Sequence, residues 1–196
     1  MNKVAKQCND SFFVKTSCDI FCNDCQLGKN RRIFASPSQS KCLEPLELVF
    51  SDVWGPAPVD SPEGYKYYLL FQDNFSRFTW IYPMKLKSEV SKIFLQFKSM
   101  AENLTNKKIK VFQVDWGGEF RPLKPLLANF GIIFQHPCPH TQSNRKIERK
   151  HRHITEIALT LLAQSSMPLK YWRDACLTST FLINHLKYWR DACSKF

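Results

Sequence analysis

The sequence predicts a layered α/β domain in which three paired strands precede alternating helices and strands. Three observations lead there. Short runs dense in aromatic and β-branched residues follow one another closely from residue 46. Apolar residues then recur at three- and four-residue steps between further short apolar runs. With 44% apolar and 14% aromatic residues in 196, there is enough material for a real core.

The elements follow in order. Residues 46–54 form an apolar-rich strand stopped by Gly55-Pro56, and residues 66–72 and 78–83 form two more, so the first three strands predict an antiparallel meander. Residues 87–103 are helical, with Val90, Ile93, Phe94, Phe97 and Ala101 as the buried stripe and Ser88 as N-cap. A strand over 109–115 ends before Gly117-Gly118. A short helix with Pro122 in its first turn runs to Phe130 and stops at Gly131, ahead of a strand over 132–135. A long helix covers 144–164 with the stripe Ile147, Ile154, Ala158 and Leu161, and a last helix starts at Pro168. The order βββ-α-β-α-β-α-α is one that a ribonuclease-H-like mixed sheet with flanking helices has.

Composition changes along the chain. Residues 1–35 hold Cys8, Cys18, Cys22 and Cys25 and end in a basic run; residues 36–45, polar and proline-containing, read as a linker to the domain at 46–186. The heptapeptide Lys170-Tyr-Trp-Arg-Asp-Ala-Cys recurs unchanged from Lys187, and residues 187–196 read as a duplicated tail rather than as a solenoid repeat, whose periods are longer. Net charge is +11, which favours a polyanionic partner, nucleic acid before membrane. No run reaches the ~18 apolar residues of a membrane span and no signal-peptide core opens the chain, so an intracellular protein with reduced thiols is expected.

Asp52 ends the first strand, Asp115 ends the fourth, and Glu148 sits in the first turns of the long helix. A carboxylate at the end of an apolar strand gains nothing for folding. Singly each reads as a solvated charge; three converging would bind hard divalent cations of the kind that serve phosphoryl transfer. Asp73 reads instead as a turn former, and Glu119 as a helix N-terminal acid. Between His140 and His153 stand Arg145, Lys146, Arg149, Lys150 and Arg152 with a single acid, and Glu148 and Arg152 are spaced as an i,i+4 pair. The plain reading of that stretch is a charged solvated face; the functional one is phosphate binding beside the carboxylates. Cys22-Asn-Asp-Cys25 is half of a tetrahedral zinc site.

With those residues in place, the sequence resembles the integrase region of plant copia-type LTR retrotransposon polyproteins. The segments that carry the resemblance include Phe21-Cys-Asn-Asp-Cys-Gln-Leu-Gly-Lys, Pro45-Leu-Glu-Leu-Val-Phe-Ser-Asp-Val-Trp-Gly-Pro, Asp115-Trp-Gly-Gly-Glu-Phe, Ile147-Glu-Arg-Lys-His-Arg-His-Ile and Met167-Pro-Leu-Lys-Tyr-Trp. The resemblance implies a ribonuclease-H-like catalytic core behind the end of a His-His-Cys-Cys zinc segment. It carries an Asp-Asp-Glu triad, holding Mg²⁺ or Mn²⁺, onto Asp52, Asp115 and Glu148, and zinc cysteines onto Cys22 and Cys25. It implies DNA as substrate, integration by transesterification, nuclear work and a homo-oligomer.

Departures from the family pattern shape further expectations. All five His lie at or after His136, so residues 1–35 are expected not to close a stable Zn²⁺ site. The approach to Glu148, His140-Thr-Gln-Ser-Asn-Arg, is one residue shorter than in relatives and has Arg145 where they have Gly. Together with apparent truncation at both ends, this predicts a degenerate, impaired copy. The alternatives are a non-catalytic DNA-binding remnant and, third, a zinc-binding interaction module.

Overall fold

Alternation along β1, Leu48–Trp54, splits its side chains between two layers. Val49 faces one hydrophobic core and Phe50 the other, as the two-residue period of a strand requires. The computed structural model describes residues 42–115, 117–136 and 142–193, without the side chains of 142–145 and 186–193. These belong to the unit Ser40–Phe196. The Cys-rich segment, with Cys22 and Cys25, lies outside the described residues.

Strands β2, Tyr67–Asp73, and β3, Thr79–Met84, extend β1 as the expected antiparallel meander. Gly55 leaves β1 with φ at 119°, where a Cβ would stand 2.7 Å from the Lys66 carbonyl oxygen, so only glycine lets the chain turn this close under β2. Helix α1, Val90–Thr105, buries the five predicted stripe residues. Ser88 does not cap it: the helix is entered through a 3-10 turn, Lys87–Glu89, and Glu89 Oε1 reaches back to accept the Lys85 and Leu86 N–H groups.

Strand β4, Val111–Val114, runs parallel to β1, on the side away from β2. After a 3-10 turn at Gly118–Phe120 and helix α2, Leu123–Asn129, Gly131 at φ 68° reverses the chain into β5, Ile133–Gln135, parallel to β4. The sheet order is β3-β2-β1-β4-β5, that of the ribonuclease-H-like fold expected from the element order.

A sheet holding such a run as β2, six of whose seven residues are buried, needs cover on both faces. On one side α1 and α2 pack over Leu69, Phe71 and Phe112. There Phe71 stacks on Phe97 at 3.9 Å between centroids, with Phe94 and Phe112 around it. On the other, α3, Gln142–Gln164, and α4, Trp172–Cys193, cover Phe50, Tyr68, Leu70 and Ile81. Helix α3 buries Ile147, Ile154 and Ala158 as predicted, but Leu162 in place of Leu161. The two heptapeptide copies fall at the start and end of one unbroken helical stretch beginning at the 3-10 turn Leu169–Tyr171.

Truncating Phe71 removes the ring on which the α1 core converges. Phe71→Ala is expected to lower unfolding free energy by about 3–5 kcal/mol, read as a lower urea midpoint at unchanged slope.

Candidate functional site

Register places the site. The parallel pairing of β1 and β4 ends with Ser51 beside Val114, so the next residues along the chain are Asp52 and Asp115. Asp115 directly follows the end of β4 as expected, but Asp52 does not end β1, which continues to Trp54 because its pairing with β2 runs on past Leu70. Phe50 on β1 belongs to the core beneath α3, whereas Phe112 and Val114 on β4 face α1. By alternation both Asp52 and Asp115 therefore project on the α3 side.

Asp115 is exposed at its tip but backed by protein. Burial first, and then the Asp52 charge, push its carboxyl above the usual range, against the opposing Gly117 N–H, which donates to Oδ1 at 3.3 Å. A Cβ on Gly117 would meet both Glu119 Oε2 at 2.8 Å and Asp115 Oδ1 at 3.1 Å, so glycine keeps room between these two acids. Glu119 pairs with Lys87 at 2.8 Å. That ammonium, outweighing the cost of burial, holds the Glu119 carboxyl low, and Lys87 is pushed up in turn.

Asp52 is held from two directions. Its Oδ1 accepts the Val53 N–H at 2.8 Å, and its Oδ2 lies 3.2 Å from His151 Nε2. His151 is buried in the stripe of α3, and its Nδ1 stands 3.0 Å from the Tyr68 hydroxyl. Tyr68 is itself fully buried, stacked at 5.0 Å on Trp54, which in turn meets Trp172 at 5.5 Å. Sequence reasoning passed over His151 because it reads as one more member of a basic run. The signal was available: it stands four residues after Ile147 and three before Ile154, in phase with the buried stripe.

Glu148 lies on α3, exposed, one helical step from His151. Among the described residues no group of three or more His, Cys, Asp and Glu side chains is arranged to hold a metal. The donor chemistry of Asp52 and Asp115 nevertheless suits a hard divalent cation: two oxygen-donor carboxylates side by side where β1 and β4 part, the charge of Asp115 disfavoured by burial and then by Asp52.

The basic residues divide. Arg149 and Arg152 are exposed, while Lys146 and Lys150 are half-buried. Lys146 lies over the Phe50 ring at 5.6 Å, and its ammonium is pushed down by burial first and then by Arg77 and Arg149. Arg77, in the β2–β3 turn, thus joins this charged face, which sequence spacing could not show. Arg145 falls in α3 at a position whose side chain lies outside the described ones. Arg152 pairs with Glu156 at 3.9 Å, where the sequence suggested Glu148; both spacings are four residues, and only the C-terminal one is made. Asp73 is a turn former as read: it is buried and accepts the Leu46 and Ser76 N–H groups.

No protein-family model matches the chain. Over 168 residues, 85% of its length, it is 42% identical to the retrovirus-related Pol polyprotein from transposon RE1 of Arabidopsis thaliana and 43% identical to that from transposon RE2. The corresponding polyprotein from transposon TNT 1-94 of Nicotiana tabacum is 35% identical over 166 residues. The chain spans only 11–12% of the length of these relatives. Among solved structures, a chain of the cryo-EM structure of the simian T-cell lymphotropic virus intasome in complex with PP2A regulatory subunit B56 gamma matches with a TM-score of 0.60 at 17% identity. The match covers 84% of this chain and 58% of that one, and the likeness is one of fold.

Because the Asp115 carboxyl is raised in the folded state, the fold binds its proton more tightly than the unfolded chain does. Stability from this group is therefore present at low pH and lost as pH rises through the raised value. Asp115→Asn should match the parent below about pH 4 and become more stable above it, by a difference in melting temperature that grows until the pH passes the raised value and then stays constant. A difference independent of pH throughout would contradict the electrostatic account.

Proposed function

We propose that this chain, which belongs to the retrovirus-related Pol polyproteins of plant transposons, is their integrase catalytic segment, a divalent-metal-dependent polynucleotidyl transferase acting on DNA. The observation that carries the reading is the placement of Asp52 and Asp115 side by side where the pairing of β1 with β4 ends, on the face that α3 covers. Asp52, Asp115 and, from α3, Glu148 would hold Mg²⁺ or Mn²⁺, which supplies charge neutralisation at the reacting phosphate. The chemistry exchanges one phosphodiester for another. A 3′-hydroxyl oxygen of an element end forms a bond to a target phosphorus, the bond from that phosphorus to the target's own 3′ oxygen breaks, and no outside energy source is needed. End trimming is the same displacement with water as nucleophile.

The chain's own residues have separate tasks in this scheme. Lys146, Arg149, Lys150 and Arg152, with Arg145 and Arg77, neutralise phosphates and set the DNA across α3 without reading bases. The assembly acts as a homo-oligomer in the nucleus. Activity is reduced relative to intact relatives, because Glu148 follows an approach one residue shorter, with Arg145 in place of glycine. A catalytic carboxylate must be held within about 0.5 Å of its productive place.

A second reading, a DNA-binding remnant without catalysis, is favoured by one observation: no three-donor metal group is formed among the described residues. Strand transfer with Mg²⁺ or Mn²⁺ separates the two. Weak Asp115-dependent transfer is expected from the chain, and a several-fold increase when the missing residue is inserted together with Arg145→Gly. Absence of Asp115-dependent transfer in both forms would leave the remnant.

DNA affinity should fall steeply with salt and vary little with sequence. Replacing Arg149 and Arg152 by Gln should flatten the slope of log K against log salt by about two. An unchanged slope would make this face merely solvated.

A further inference from the structure

The Tyr68–His151 pair stands outside every role assigned above. His151 is 8% exposed and Tyr68 fully buried, so both polar tips have left water. A buried imidazole among Ile147, Ile154 and Ala158 costs stability unless its nitrogens are occupied. One is: Nδ1 meets the Tyr68 hydroxyl at 3.0 Å. The other, Nε2, makes no hydrogen bond to a described residue, yet lies 3.2 Å from Asp52 Oδ2, off the ideal line.

We propose that His151, oriented by Tyr68, is the positioning residue for Asp52, fixing the direction in which that carboxylate faces its site. The proposal rests on reading Asp52 as a catalytic carboxylate.

The argument runs through donors and acceptors. A carboxylate can only accept, so contact with Oδ2 is attractive only if Nε2 carries the proton. In the neutral imidazole of that tautomer Nδ1 is the acceptor and Tyr68 the donor; in the imidazolium the Nδ1–Tyr68 bond would reverse. Burial, first among the causes, pushes the Tyr68 phenol well above its usual range, so its proton is retained for that bond. Trp54, stacked on the Tyr68 ring, prevents the phenol from swinging away. On the other oxygen, the Val53 N–H binds Oδ1. Asp52 is thereby met at both oxygens, by a hydrogen bond at Oδ1 and by the 3.2 Å Nε2 contact at Oδ2, and each oxygen keeps a lone pair for a further partner. Partners of this kind, donating to a ligand from behind, typically change metal affinity 10–100-fold when removed.

The test uses the full chain and two readouts. In nitrogen-15 spectra of histidine-labelled protein, His151 is expected as the Nε2–H tautomer. Asp52→Asn should shift its Nε2 signal, and Tyr68→Phe its Nδ1 signal. An Nδ1–H tautomer, or signals indifferent to both substitutions, would overturn the proposal. In the second readout, Mn²⁺ alone is titrated and followed by electron paramagnetic resonance. His151→Leu should weaken binding about tenfold, and His151→Gln, which keeps a donor, should recover most of it. Equal losses in the two variants, or no loss in either, would reduce His151 to a packing residue. If the parent chain binds no Mn²⁺, or Asp52→Asn leaves binding unchanged, the catalytic reading of Asp52 fails. The nitrogen spectra then decide alone whether the Tyr68–His151–Asp52 connection exists.

Discussion

A strand has two faces and a period of two, and this constraint on β1 governs the rest of the molecule. Val49 must reach the core under α1 while Phe50 reaches the core under α3. Nothing in β1 can slip by one residue without exchanging those layers. Asp52 inherits its direction from that rule. Strand β4 obeys it too, with Phe112 and Val114 toward α1, which leaves Asp115 for the α3 side. The site is a by-product of a register that the hydrophobic residues enforce.

Each part of the neighbourhood then has its cause. Asp52 and Asp115 sit where β1 and β4 stop pairing with each other, although β2 still pairs with β1 at Asp52, so their charges face one another past the end of that ladder. Lys87 pairs with Glu119 rather than with Asp115, whose carboxyl is pushed up by burial and by the Asp52 and Glu119 charges against the opposing Gly117 N–H and the more distant Lys87. Helix α3 completes the arrangement by carrying a polar side chain within its apolar stripe. In this way one helix face both seals the core and touches the site.

Much of this was legible in the sequence. The strand-end position of Asp115, the meander, the α1 stripe and the Gly131 stop all depend on local patterns of two or four residues, and local patterns survive in one dimension; Asp52, read as ending β1, lies two residues inside it because its pairing with β2 outlasts that with β4. What escaped reading depends on register between distant elements. Tyr68 lies in a run buried on both faces, so no alternation marks the side its hydroxyl takes. His151 is hidden by its charged neighbours, and Arg77 joins Lys146 only through the turn that folds it back. The choice of Glu156 over Glu148 by Arg152 is a competition between equal spacings that sequence cannot rank.

The mixed character of the sheet has a consequence in time. Strands β1, β2 and β3 are joined as antiparallel neighbours in sequence, pairings that close over short loops and form early. The pairing of β1 with β4 must wait for a closure spanning β2, β3 and α1. Loop lengths alone thus favour Asp52 being placed in a hairpin before Asp115 joins it, so the repulsion between the two is met when β4 docks, on a meander already paired.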